Sequence, residues 1–144
     1  MARMIFINLP VSDLPKAMAF YDALGFTNNP QFTDETAACM VWSEAIHVML
    51  LTHAKWKTFT DRPIPARGSS EVMNCLSCET REEVHRLNDL AGKNGGTSNA
   101  QPAADHGFMI SNTFTDPDDH VWEVMWMDPA VASGEVPATV GETQ

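Results

Sequence analysis

Basic residues are what this sequence has least of. Lys and Arg number 9 against 19 Asp and Glu, and the formal net charge is −10. Gripping a phosphate backbone takes a basic patch, so the charge balance speaks against nucleic acid as a partner. It speaks equally against an anionic membrane surface. Long apolar runs are missing too: no stretch approaches the ~18 residues of a membrane span. The first residues, Met-Ala-Arg-Met-Ile-Phe-Ile-Asn, lack the apolar stretch of an export signal, and Pro10 and Asp13 follow soon after. Cysteine is scarce and odd in number, with 3 residues. That pattern reads as reduced thiols in a cytoplasmic protein.

What remains is an ordinary globular composition, 44% hydrophobic over 144 residues, enough for one compact domain or two joined halves. Residues 4–10 read as a strand. Ser12 or Asp13 offers an N-cap and Pro15 suits a first helical turn. Leu14, Ala17, Met18, Tyr21 and Leu24 then recur at helical spacing until Gly25. Three extended stretches follow, about 26–32, 36–43 and 45–52, separated by turn-prone residues. The order is strand, helix, strand, strand, strand. Residues 53–70 read as a connector, with Trp56 and Phe59 pinning part of it and 61–70 as the true linker.

The second half repeats that order. A strand is expected over 71–79, then a capping box at Thr80 and Glu83, and a helix with Val84, Leu87, Leu90 and Ala91 along its apolar stripe. Gly95 and Gly96 stop it, and extended stretches follow at about 97–101, 107–115 and 120–127. Residues 129–144 show little periodicity and read as a mobile tail. The chain therefore divides into a module over 1–60, a linker over 61–70, a second module over 71–128 and the tail. Leu9 and Leu76, and Val11 and Cys78, each lie 67 positions apart, an internal duplication of element order.

Two segments carry a family resemblance. Ile7-Asn8-Leu9-Pro10-Val11-Ser12-Asp13-Leu14 with Ala19-Phe20-Tyr21 and Leu24-Gly25-Phe26 resembles the opening of the glyoxalase, bleomycin-resistance and extradiol-dioxygenase proteins, the vicinal oxygen chelate superfamily. Phe114-Thr115-Asp116-Pro117-Asp118-Asp119-His120-Val121-Trp122-Glu123-Val124 resembles its closing hairpin. More narrowly, the stretches from Asn29 to Val41 and from Trp122 to Pro129 resemble a poorly characterised glyoxalase-like branch. The resemblance implies an α+β fold of two βαβββ modules forming a curved mixed-sheet cup, a small-molecule ligand and a homodimer. It leaves the reaction open, because one fold hosts isomerases, dioxygenases, thiol transferases and drug-sequestering proteins.

By resemblance, the four places that hold a divalent ion in metal-dependent members fall on Phe6, Leu50, Met73 and Glu123. Only Glu123 suits a hard or borderline metal; hydrocarbon offers no lone pair, and a thioether suits soft ions. One carboxylate does not hold zinc, nickel, iron or manganese. No cofactor is therefore expected, with a rearranged metal site as the less favoured alternative. His47 is placed by strand parity opposite Leu50, on an outer or interface face. Cys75-Leu76-Ser77-Cys78 matches the redox C-x-x-C spacing, but in a strand that spacing sends the two thiols to opposite faces.

Strand periodicity groups Phe6 with Asn8, Met73 with Cys75 and Ser77, and Glu123 with Met125. With the places implied by the resemblance, these give the ligand-binding candidates Phe6, Asn8, Leu50, Met73, Cys75 and Ser77, with Gln31 less securely placed. Glu123, poorly solvated among apolar neighbours, is the acid–base candidate. The favoured function is binding of a small molecule in a largely apolar cup without the usual metal. The alternative is a glyoxalase-like lyase or dioxygenase-like enzyme using a rearranged metal or Glu123. A weaker third reading is a structural or protein-interaction domain.

Overall fold

The computed structural model describes residues 3–138. The chain forms two compact units: one runs to Ser70 and takes in Pro117–His120, and the other holds Glu71–Asp116 and the chain from Val121 onward. No helix among the described residues is long and apolar enough to cross a membrane.

The first unit opens with β1 (Ile5–Val11) and α1 (Leu14–Leu24). Of the two caps offered by the sequence, Asp13 is used: its carboxylate accepts the Lys16 N–H at 3.1 Å. Leu14, Ala17, Phe20, Tyr21 and Leu24 form the buried stripe. Gly25 ends the helix at φ +107°, a backbone angle that L side chains rarely adopt. Then come β2 (Thr27–Asn29), β3 (Ala37–Val41) and β4 (Ile46–Thr52). Pro30 cuts the extended stretch expected over 26–32, and Pro30–Phe32 forms a 3₁₀ turn capped by Asn29.

The sheet order is β1-β4-β3-β2, with β1 parallel to β4 and the other pairs antiparallel. The connector holds a helix that periodicity did not reveal, α2 (His53–Phe59). Its seven residues carry too few apolar positions for a pattern. Thr52, the last residue of β4, caps it by accepting the Lys55 N–H.

Within the same unit, Asp118 accepts the Ser12 N–H at 2.9 Å and Asp119 accepts the Gly68 N–H at 2.6 Å. His120 Nε2 lies 2.7 Å from the Pro10 carbonyl.

The second unit repeats the order with β5 (Asn74–Ser77), α3 (Arg81–Lys93), β6 (Thr97–Asp105), β7 (Met109–Thr115) and β8 (Val121–Met127). Its sheet order, β5-β8-β7-β6, is that of the first, again with the outer strand parallel to the last. The capping box is present in altered form. Thr80 accepts the Glu83 N–H at 3.1 Å, while Glu83 reaches one residue further back, to the Glu79 N–H at 3.0 Å.

β5 is shorter than the strand expected over 71–79, and β6 is longer than expected, with shifts of register along it. At Asn99 the backbone turns to φ +53°, held by Asn88, which accepts the Asn99 N–H at 2.9 Å. A short helix, α4 (Pro129–Ala132), stands inside the segment read as a tail; positions 139–144 of that segment lie outside the described residues.

Candidate functional site

Pairing register decides which side of each sheet a residue occupies. In the first unit Phe6 pairs with His47, Asn8 with Met49, and Met49 in turn with Cys39. These residues share the face turned away from α1. The opposite face holds Leu9, Met40, Val48 and Leu50, all buried, against α1. Leu50 is therefore removed from the candidate ligand-binding set: it pairs with Leu9 and is 0% exposed. The residue that the register brings to the open face is Met49. His47 lies opposite Leu50 as parity placed it, but on the open face, beside Phe6, ring centroids 4.6 Å apart and 19° from parallel. A one-residue slip in a strand exchanges faces, and the resemblance-based placement on β4 had slipped by one.

The open face of the first unit forms a pocket of about 370 Å³, within the ~300–1,000 Å³ typical of ligand sites. β1 contributes Phe6 and Asn8, β3 Ala37 and Cys39, and β4 Met49 and Leu51; Phe32 of the 3₁₀ turn and Lys55 and Phe59 of α2 complete the wall. Phe6, Phe32 and Phe59 are at least half exposed, at 50%, 62% and 63%, so aromatic surface faces solvent around the cavity. The polar groups in the lining are the Asn8 carboxamide, the Cys39 thiol and the Lys55 ammonium, which lies 5.5 Å from the Phe59 ring centre.

Cys39 has its own arrangement. Its Sγ lies 4.0 Å from His47 Nδ1, while His47 Nε2 lies 3.0 Å from the Glu44 carbonyl. A carbonyl only accepts, so Nε2 is the donor to Glu44, and Nδ1 is the nitrogen that faces the thiol. Burial pushes the Cys39 thiol above its ordinary value, which keeps it protonated as a donor.

The face of the second sheet turned away from α3 is more polar. Cys75 pairs with Glu123 and Ser77 with Met125, and Thr113 flanks Glu123 on the other side. Periodicity grouped Cys75 with Ser77 and Glu123 with Met125, and the register brings the two groups onto one face. Partial burial, and then the charge of Glu123, raise the Cys75 thiol. Met73 precedes β5 and is 64% exposed. On the other face Trp122, Val124 and Phe114 are buried, against α3. Cys78 is buried apart from the exposed Cys75; burial, and then Glu83, push it up to about 12.

The donor chemistry does not fit the divalent ion of metal-dependent relatives. The open face of the first unit offers one imidazole, with contacts at both nitrogens, and the Cys39 thiol. The open face of the second offers Glu123 and a thiol. Among the described residues no three His, Cys, Asp or Glu side chains gather as a metal would require.

Periodicity alone missed Met49, Leu51, Ala37, Cys39, Phe32, Lys55 and Phe59. The signal for Met49 lay in β4 itself: Val48 and Leu50 are hydrocarbon positions suited to a helix-covered face, and His47 and Met49 alternate with them.

Comparisons agree with this architecture. Residues 3–43 match the family described as bleomycin resistance protein-like N-terminal. No curated protein matches the chain. A hypothetical protein from S. aureus is 27% identical, with 88% of this chain and 95% of that one covered and a TM-score of 0.72. A glyoxalase/bleomycin resistance protein/dioxygenase family enzyme from Burkholderia phytofirmans PsJN is 14% identical over 88% and 99% of the two chains, at TM-score 0.73. The genomically encoded fosfomycin resistance protein FosX from Listeria monocytogenes is 16% identical over 88% and 91%, at TM-score 0.63. The chain has the fold of the glyoxalase/bleomycin resistance proteins, and its N-terminal segment matches the bleomycin resistance protein-like family.

Proposed function

We propose that this protein binds a small, largely apolar molecule in the pocket on the open face of the first module, and that it does so without the divalent ion of its metal-dependent relatives. The observation that carries the reading is the pocket itself: about 370 Å³, walled by Phe6, Phe32, Met49, Leu51 and Phe59, with few polar groups among them. Such a wall holds an apolar body by burial, and Met49 adapts to its shape. Phe6 and Asn8 are the two residues of the sequence-based set that line it. The exposed apolar residues Met4, Ile5, Val72 and Met73 support a homodimer as part of this reading. Three unpaired thiols suit a cytoplasmic protein.

A thermal-shift screen of aromatic and amphipathic compounds tests the binding claim, because a ligand that binds only the folded state raises the melting temperature. Compounds that stabilise the wild type lose that effect in Met49→Glu, which puts a carboxylate into the apolar wall. Shifts unchanged by Met49→Glu place binding elsewhere. Elemental analysis of the purified protein tests the other half: stoichiometric nickel, zinc, iron or manganese overturns the metal-free reading.

A second reading has one observation in its favour. Glu123 stands across from Cys75 and beside Thr113 on the open face of the second module, a carboxylate among groups able to hydrogen-bond a substrate. In that reading Glu123 is the acid–base residue of an enzyme, with Cys75 and Ser77 as neighbouring contacts. Glu123→Gln that abolishes a turnover while ligand still binds marks Glu123 as catalytic; loss of binding, with no turnover in either form, marks it as an anchor.

A further inference from the structure

Resting on the pocket reading above, we infer that the ligand is an anionic amphiphile: an aromatic or alicyclic carboxylate or sulfonate whose apolar body lies on Phe6, Met49 and Phe59 and whose charge is met by Lys55, with the Asn8 carboxamide as a further hydrogen-bond donor. The chain carries 19 acidic residues and 9 basic ones, so an average patch of its surface favours cations. The pocket reverses that balance. Its lining contains no Asp or Glu and one Lys.

Lys55 is not consumed by an ion pair. The two salt bridges among the described residues are Arg81–Asp105 and Arg86–Glu83. The acidic group that feels Lys55 is Asp34, and its Oδ1 is already taken by the Thr36 N–H and Oγ1–H at 2.7 Å each and by the Ala37 N–H at 3.1 Å. The ammonium instead sits over the Phe59 ring, which orients it at the wall while leaving its donors to a ligand. Lys55 is half-buried, so an anion beside it is partly withdrawn from water and the attraction is stronger than at an open surface. A cationic ligand would face that ammonium at close range, with no carboxylate in the pocket wall and Asp34 outside it. A neutral one would leave it unanswered.

The test is a matched pair, 2-naphthoate and 2-naphthamide, titrated calorimetrically into the full-length chain at ~0.15 M salt. Screening over ~8 Å at that ionic strength suppresses repulsion from the distant negative charges. Naphthoate binds roughly five- to tenfold tighter than naphthamide. Lys55→Gln, which keeps most of the side-chain stem, brings the ratio to about one, and Lys55→Arg preserves the preference. Melting curves of both variants confirm that they are folded. Equal binding of the two compounds by the wild type, or a preference that survives Lys55→Gln, overturns the inference and leaves the pocket standing. If neither compound binds, and no uncharged aromatic in the thermal-shift screen does, the pocket reading falls and this inference with it.

Discussion

The open faces of the two modules occupy the same address in a duplicated backbone and present different chemistry. Asn8 pairs with Met49 in the first, and Cys75, 67 positions after Asn8, pairs with Glu123 in the second. Register thus makes Met49 the counterpart of Glu123, and Leu50 that of Val124. On the helix-covered faces the duplication is conservative, since Leu50 and Val124 are both fully buried. On the open faces a thioether stands where the other half has a carboxylate. The surroundings diverge too. The fourth strand of the first module leads into α2, seven residues long, whose Lys55 and Phe59 wall the pocket; the fourth strand of the second leads into α4, only four residues long. Pairing fixes where a side chain points, while the residue placed there decides what the face can do.

The largest expected effect breaks or upholds the face assignment. Leu50→Ala empties a site fully enclosed against α1 and costs about 2–5 kcal/mol in urea unfolding. Met49→Ala, on a half-open face, costs under about 1.5 kcal/mol and acts instead on ligand affinity. Equal costs would dissolve the distinction between faces. Next come the helix starts, where the halves are alike: Asp13→Ala and Thr80→Ala each remove an N-cap and each lower stability by about 1 kcal/mol. A large inequality between them would show that one module's helix depends on packing far more than the other's.

A smaller effect appears in alkali. Burial and Glu83 raise Cys78 from an ordinary value of 9.0 to about 12, so between those values the folded chain holds a proton that the unfolded chain releases. The stabilisation is complete below about 9 and is lost as pH climbs toward 12. Cys78→Ala flattens that alkaline decline, which urea titrations at stepped pH would measure. The least effect on stability belongs to the thiols' accessibility: iodoacetamide modifies exposed Cys75 before buried Cys39 and Cys78, as intact mass and peptide mapping would record.

Much of the fold was legible in the sequence because it rests on local signals. Asp13, Gly25 and Thr80 bound their helices through caps written into single residues, and the repeated element order followed. What was not legible depended on partners distant in sequence. The face of Leu50 is set by pairing with Leu9; the segment 46–52 records only an alternation that groups Leu50 with Val48 and sets Met49 apart. The helix α2 lacks an apolar stripe and is started by Thr52, a residue that also ends a strand. Of the candidate site, Phe6 and Asn8 line the pocket, and Cys75, Ser77 and Glu123 share the second module's open face, because alternation along one strand suffices for them. Phe32 and Lys55 come from a turn and a short helix that meet only in three dimensions.

The central claim is most directly tested by carbon-13 methyl NMR of the methionines during titration with 2-naphthoate. Met49 lies in the pocket wall of the first module, and Met125 on the open face of the second. The account predicts that the Met49 methyl resonance moves saturably while that of Met125 stays in place. Movement of Met125 with Met49 unmoved would contradict it.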